Sequence, residues 1–369
     1  MKCTMAIRVS VILSIMAFAL PVLSAPLPLG LPPVPIPADN PQTPEKIALG
    51  KQLYEDKRFS SDGTVACANC HLPEKAFVDG LPVSEGVGQQ KGTRNSPTVI
   101  NAVYFKEQFW DGRRPSLEEQ AKDPFINPVE HGLESHDPIV EIVQTDPDYV
   151  TQFEKVFGLK AADITIDHVV KAIASFERTI ISGDSPFDRY QYGGDKTAMS
   201  EAAIRGLEVY LDKGRCQSCH TIGEQDALFT NNDYHNLGVG FAKIEPRMME
   251  IVTAFRKAKA TGENVDEKVL TDADVSELGR FAITLRPSDV GKFKTSGLRN
   301  IAVTAPYMHD GSLNTLEEVI DLYDRGGEAN PMLDGGIRVL NLTDQEKSDL
   351  VEFLKHLTSP EYAHLANQK

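Results

Sequence analysis

Four cysteines occur in two short motifs, each followed directly by a histidine. Residues 67–71 read C-A-N-C-H and residues 216–220 read C-Q-S-C-H. Cysteines three positions apart lie on one side of a helical turn, where both thiols can bond the vinyl groups of one haem while the histidine ligates its iron. The pattern predicts two covalently attached haems c. The predicted attachment and ligand residues are Cys67, Cys70, His71, Cys216, Cys219 and His220.

The four cysteines allow two other interpretations. Four cysteines in an exported chain are also compatible with two disulfides. A zinc site needs further Cys or His at ligand spacing, and the sequence offers none around either motif. Two C-x-x-C-H motifs that use every cysteine except Cys3 favour haem over both.

The N-terminus has the pattern of a secretory signal peptide. Lys2 and Arg8 precede an apolar run over 9–23, and small residues follow it. This predicts a signal peptide over 1–24 and a periplasmic mature protein, with an uncleaved anchor as the alternative. Cys3 precedes the apolar run, which argues against a lipid anchor.

Composition limits the classes of function. The chain has 369 residues, of which 41% are hydrophobic and 25% charged, so a large core can form. Its net charge of −15 repels phosphate backbones and argues against nucleic-acid binding. The same acidity can steer a basic protein partner.

An internal repeat surrounds the two motifs. Gly50 and Tyr54 recur as Gly206 and Tyr210, and each pair precedes a haem motif. Capping boxes, in which a hydroxyl caps a helix and a glutamate bonds back, are predicted at three places. They are Ser116 to Glu119, Thr315 to Glu318 and Thr343 to Glu346.

Few alternating strand patterns occur, and the sequence predicts a mainly α fold of two cytochrome-c-like domains, each wrapped around one haem. A Pro-rich leader over 25–44 precedes a helix capped by Thr43. Apolar residues recur at helical spacing over 166–181, and the turn-forming segment 182–186 follows them. This predicts a domain boundary near residue 185, with the N-terminal domain at 45–185 and the C-terminal domain at 186–369. Whether the final helix packs back on the first domain stays open.

Further motifs carry a family resemblance. Over residues 45–358 the chain resembles the bacterial di-haem cytochrome c peroxidase family, which includes the methylamine-utilisation enzyme MauG. Beside the haem motifs, the segments that carry it are Arg94–Thr98, Phe109–Arg113, Asn127–Glu130 and Ala305–Ser312.

For the first, peroxidatic haem, the resemblance implies iron ligation by His71 and a catalytic role for Glu130. A carboxylate there can take a proton from one peroxide oxygen and return it to the other. Typical members have a histidine in the loop after the first haem motif, and it blocks the iron of that haem. The matching position in this chain is Val87. We therefore expect an open or water-bound first haem that needs no reductive activation. His131 replaces the family's usual methionine, and its role stays open between iron ligation, tuning of Glu130 and a structural role.

For the second, electron-transfer haem, the resemblance implies ligation by His220 and a sixth ligand from the helix after Thr315. Typical members have methionine where this chain has Tyr323, and MauG is similar in using tyrosine. A phenolate is a hard anion that stabilises oxidised iron. Competing candidates are Met308, His309 and His235.

The resemblance also implies residues between the two haems. Trp110, the only tryptophan, matches the aromatic residue that shortens the electron-tunnelling gap. Asn95, Thr304 and Pro306 match the family's calcium site, and their oxygen ligands suit Ca²⁺.

Three functions remain at the level of sequence. The leading hypothesis is a peroxidase that reduces hydrogen peroxide to water with electrons from a small cytochrome c or copper protein. The second is a MauG-like enzyme that uses peroxide to form a high-valent di-haem state and oxidises residues of a partner protein. The third is a di-haem electron-transfer cytochrome without catalysis.

Overall fold

The computed structural model describes residues 27–366, so the predicted signal peptide lies outside the described residues. Regular structure in this range is almost wholly helical. The fifteen α-helices are α1 Pro44–Tyr54, α2 Cys67–Cys70, α3 Leu117–Ile126, α4 Asp137–Thr145, α5 Pro147–Phe157, α6 Ile166–Glu177, α7 Pro186–Gln191, α8 Glu201–Leu211, α9 Phe241–Ile244, α10 Met248–Ala260, α11 Val265–Thr271, α12 Ala273–Ser276, α13 Phe281–Thr284, α14 Leu316–Asp324 and α15 Asp344–Lys355.

The only strands in residues 27–366 form one short antiparallel pair. β1 is Tyr234–His235 and β2 is Phe293–Lys294. Tyr234 lies opposite Lys294 in the register. The mainly helical class predicted from the sequence is confirmed.

Two helix pairs with equivalent glycines organise the molecule. α1 packs against α6, and α8 packs against α15. A Cβ atom on Gly50 of α1 would lie 1.9 Å from the carbonyl oxygen of Ala172, and one on Gly206 of α8 would lie 1.9 Å from that of Asp349. The repeat in the sequence therefore marks two helix crossings that only glycine permits.

Helix starts follow the sequence signals with one correction. Thr315 and Thr343 each form a complete capping box with the glutamate three residues on. The Ser116 side chain accepts from the backbone N–H of Glu119, but the Glu119 carboxylate pairs with Lys122 at 2.8 Å and does not bond back. The box predicted at Ser116 is thus only half formed, because a neighbouring ammonium competes for the carboxylate.

The Pro-rich leader wraps over both halves of the chain. The Arg299 guanidinium donates to the carbonyl oxygen of Gly30 at 2.6 Å, and the Asn40 amide donates to the Glu118 carboxylate at 2.8 Å. Thr43 then caps α1, as the sequence predicts. The leader is therefore a strap held by side chains from both halves.

Separate hydrophobic cores lie in the two halves. One is built by α1, α3, α4, α5 and α6, and another by α7, α8, α14 and α15. A third core lies within α9 to α13, between the second haem motif and β2. Among residues 27–366, no helix is both long and apolar enough to cross a membrane.

The C-terminal helix and the segment after it contact different halves. Phe353 of α15 packs against Phe187 and Tyr210 of the second half. Tyr362, beyond the helix, packs in a cluster with Phe77 and Val103 of the first half. The return to the first half is thus made by the tail.

Two candidate haem cavities

The first cavity is built around α2. Cys67, Cys70 and His71 line it, and neither thiol is in a disulfide. The His71 Nδ1 lies 3.3 Å from the carbonyl oxygen of Phe77. A backbone carbonyl at Nδ1 is the usual arrangement of a histidine that ligates a metal through Nε2, beside which the Ser96 hydroxyl lies here at 3.4 Å.

The second cavity repeats this arrangement. Cys216, Cys219 and His220 line it, and the cysteines are again free thiols. The His220 Nδ1 lies 2.9 Å from the carbonyl oxygen of Phe229. The two cavities thus present the same donor set, two thiols and one histidine nitrogen, as haem c attachment requires.

The structure disfavours a disulfide or zinc site at these cysteines. Burial raises the pKa of the Cys67, Cys70 and Cys216 thiols, which opposes the thiolate form that zinc binds. The pKa of Cys219 is instead lowered by its hydrogen bond with His235. Within the described part of the chain, the cluster of side chains with metal-ligand geometry is Glu277, His309 and Asp310, and it contains no cysteine. The donor set and its mostly apolar surroundings fit haem better than zinc.

Glu130 lies in the turn after α3 and lines the first cavity. Burial raises the pKa of its carboxyl to about 7, although the nearby Arg113 guanidinium acts to lower it. A carboxyl that titrates near neutrality can both accept and donate a proton. The structure therefore places an acid–base group in the same cavity as Cys67 and His71.

The loop opposite Glu130 offers no ligand at position 87. Val87 is buried, and its backbone N–H donates to the carbonyl oxygen of Glu130 at 2.9 Å. His131 also lines the cavity, and its Nδ1 lies 2.9 Å from the carbonyl oxygen of Phe59. Burial lowers the pKa of His131 to about 4, so the imidazole is neutral at physiological pH.

Tyr323 on α14 lines the second cavity, as does Met308. Burial raises the pKa of the Tyr323 phenol, so its anionic form requires a compensating cation.

The two histidines that compete with Tyr323 are each bound to a carboxylate. The His309 Nε2 lies 2.7 Å from Glu277, and the ring stacks on Phe293 with centroids 3.6 Å apart. The His235 Nδ1 lies 2.8 Å from Asp334. Rotating His309 toward an iron would break both its buried hydrogen bond to Glu277 and the stacking contact with Phe293.

Trp110 lines both cavities. Its indole N–H donates to the carbonyl oxygen of Asn95 at 2.9 Å, which fixes the ring in the shared wall. Asn95, Thr304 and Pro306, the predicted calcium ligands, all line the second cavity. The structure thus gathers the residues predicted to lie between the haems.

Two cations in these cavities were missed by reasoning from the sequence. Arg113 lines the first cavity, stacks on Phe109 at 3.3 Å from the ring centroid and pairs with Asp111. It closes the segment Phe109–Arg113 that carries the resemblance, so a signal was present. Lys294 lines both cavities from a two-residue strand, which is too short to give a sequence signal.

Comparison with known proteins agrees with this geometry. Residues 44–197 match the family model of the di-haem cytochrome c peroxidases. Cytochrome-c peroxidase IdrP1 of Pseudomonas sp. (strain SCT) is 39% identical over 336 residues, which is 90% of this chain and 85% of that protein. The methylamine utilization protein MauG of Methylorubrum extorquens is 36% identical and covers 88% of this chain and 81% of its own.

The chain belongs to the di-haem cytochrome c peroxidase family. It is a peroxidase-type oxidoreductase of a di-haem family, and the hypothesis of a non-catalytic carrier is not retained. A solved MauG-like protein associated with microbial copper homeostasis superposes on the peroxidase with a TM-score of 0.75 at 34% identity. That likeness covers 91% of this chain and 96% of the solved one.

Proposed function

We propose that this enzyme reduces hydrogen peroxide to water in the first cavity, with electrons from a small cytochrome c or copper protein that enter through the second. The single observation that carries the proposal is Glu130, a carboxyl with a pKa of about 7 in the same cavity as the first haem motif. Position 87 in the adjoining loop holds valine, which cannot ligate iron.

The chain's own residues handle the protons. When bound, the haem supplies the iron at which peroxide is reduced and the electrons that break its O–O bond. Glu130 as carboxylate takes the proton from one peroxide oxygen and delivers it to the departing oxygen, which leaves as water. The overall change consumes two electrons and two protons and gives two waters. Arg113 adds positive charge beside Glu130 and favours the carboxylate form that begins the cycle.

Trp110 provides the route for electrons between the halves. Its ring is held in the wall common to both cavities by the hydrogen bond to Asn95. Tyr323 is the proposed sixth ligand of the second haem, because His309 and His235 are bound to carboxylates. Asn95, Thr304 and Pro306 are the proposed calcium ligands.

We also infer how the chain divides into domains and where in the cell the mature enzyme lies. Each haem is held by thioether bonds to its two cysteines, within an N-terminal domain at 45–185 or a C-terminal domain at 186–369. We place the mature enzyme in the periplasm, after removal of residues 1–24, where a secreted haem c protein would meet its electron donor.

A turnover assay tests the leading function. Haem-loaded enzyme is mixed with hydrogen peroxide and a reduced small cytochrome c, and oxidation of the donor is followed at several peroxide concentrations. We expect saturable turnover without prior reduction of the enzyme. An oxidised enzyme that neither reacts with peroxide nor turns over with any reduced donor would contradict the proposal.

A second candidate is oxidation of a residue on a partner protein, with peroxide as the oxidant. Tyr323 in the second cavity favours this candidate, because the resemblance to MauG implies a tyrosine as the sixth ligand of the second haem. Stopped-flow mixing of the oxidised enzyme with peroxide separates the two. A long-lived change in both haem spectra with poor turnover of reduced donor favours partner oxidation, and rapid return with donor favours the peroxidase.

A further inference from the structure

A lysine lies in the wall between the two cavities. Lys294 on β2 lines both of them, and its backbone N–H donates to the carbonyl oxygen of Trp110 at 2.8 Å. The Nζ atom donates to the carbonyl oxygen of Glu107 at 2.8 Å and lies 4.2 Å from the centroid of the Phe105 ring. Lys294 is thus anchored to the same wall as the proposed electron route.

The ammonium of Lys294 has no carboxylate partner in the described structure. The carboxylate of Glu107 pairs with Arg280 at 3.0 Å. The carboxylate of Asp111 pairs with Arg94 at 2.6 Å and with Arg113 at 3.2 Å. The nearby acids are therefore already committed to arginines.

Burial opposes the charge on this group. It lowers the pKa of Lys294 to about 7, and the Asp111 and Glu107 charges only partly compensate. An ammonium that loses its hydration is costly unless an anion replaces the water. A carbonyl oxygen and an aromatic face give the ammonium partial stabilisation and leave its positive charge unneutralised.

The other cation that lines both cavities makes an instructive contrast. Arg299 is bound in a bidentate pair to Asp188, with distances of 2.7 and 2.8 Å, and is therefore neutralised within the protein. Of the two cations that line both cavities, Lys294 is the one without a carboxylate partner in the described structure. The carboxylates of a haem are its two propionates, whereas hydrogen peroxide is uncharged.

We propose that Lys294 is a positioning residue that binds a haem propionate at the wall shared by the two cavities and raises the reduction potentials of the haems. The proposal rests on the occupancy of both cavities by haem. A positive charge near a haem favours the reduced form, which carries one more electron. Because Lys294 lines both cavities, its removal should affect both haems.

The experiment measures the two midpoint potentials of haem-loaded protein by spectroelectrochemical titration, without peroxide. We expect Lys294→Met to lower the reduction equilibrium constant of each haem about tenfold. For a one-electron couple this lowers each midpoint potential by about 59 mV. Lys294→Arg, which keeps the charge, should stay near the wild-type values. Lys292→Met is the matched control, because Lys292 precedes the strand and pairs with Asp289 at 3.4 Å.

The outcomes separate this proposal from the proposed function. Lys294→Met with two haems and wild-type potentials would overturn the proposal, even if turnover of peroxide were intact. If Lys294→Met does not retain haem, haem content is compared for Lys294→Arg and Lys294→Gln. Retention with arginine and loss with glutamine supports an anion partner, whereas equal behaviour of the two variants overturns it.

Discussion

The two halves of the peroxidase share a scaffold and differ in the side chains that face their cavities. In each half a helix with a glycine crossing, Gly50 or Gly206, leads to a C-x-x-C-H turn. In each half the histidine Nδ1 is engaged by the carbonyl oxygen of a phenylalanine. The scaffold therefore presents two thiols and one histidine nitrogen in the same way twice.

The difference lies on the opposite side of each cavity. The first offers Glu130, whose pKa burial raises to about 7, and has valine at position 87. The second offers Tyr323 and Met308, while its histidines are held by carboxylates. One duplicated architecture can thus support proton transfer in one half and electron transfer in the other, because a few side chains decide which.

The largest expected effect comes from removal of the Glu130 carboxyl in the first half. We expect Glu130→Gln to lower kcat for peroxide reduction by about 10²–10⁴-fold, because an amide cannot shuttle the proton. Steady-state assays of haem-loaded enzyme measure the loss. Glu119→Gln, on the exposed side of α3, is the control and should keep wild-type turnover. Equal activity of Glu130→Gln and wild type would remove Glu130 from the mechanism.

The shared scaffold predicts matched losses of stability. Gly50→Ala and Gly206→Ala each force a methyl group against a backbone carbonyl of the partner helix, and should each cost about 1–3 kcal/mol. Urea unfolding of the haem-loaded protein measures this. Gly335→Ala, where an added Cβ meets no atom within 4 Å, should have little effect. A large loss for one crossing alone would show that the two halves are not equivalent.

The pH dependence sharpens the contrast. Burial raises the pKa of Glu130 to about 7, so the proton-accepting carboxylate is lost as the pH falls through 7. The rate with peroxide should fall about tenfold per pH unit on the acid side, as a single ionisation requires. The residual rate of Glu130→Gln should lack this limb. A wild-type limb that persists unchanged in the variant would assign the ionisation to another group.

The smallest expected effect on turnover comes from the second half. Tyr323→Phe should retain both haems but change the absorption of the second and shift its midpoint potential positive, because an anionic oxygen ligand is lost. Tyr307→Phe is the matched control, since Tyr307 lines the same cavity but donates its hydroxyl to Ile301 at 3.0 Å. Unchanged spectra in Tyr323→Phe would point to Met308 as the ligand.

Local signals in the sequence predicted much of this architecture. The repeat of Gly50 and Gly206 marked two real helix crossings, and Thr43 capped α1 where its hydroxyl and the following proline predicted. The helical spacing over 166–181 predicts a longer helix than α6, which ends at Glu177. Periodicity continues through the turn that follows, so it could not locate the end.

Contacts between residues that are distant in the sequence could not be predicted from local patterns. The hydrogen bond between His309 and Glu277 joins residues 32 positions apart, and no sequence motif predicts it. Trp110 was predicted to lie between the haems only through a family resemblance, since a single tryptophan has no distinguishing pattern. Lys294 gains its significance from two cavities that exist only in the folded chain.

The central claim is that the first haem keeps an open or water-bound position beside Glu130, and electron spin resonance of the oxidised, haem-loaded protein tests it most directly. We expect a high-spin ferric signal from the first haem in the wild type, with no change in His131→Ala. Two low-spin signals in the wild type, one of which becomes high-spin in His131→Ala, would show that His131 occupies that position and would contradict the account.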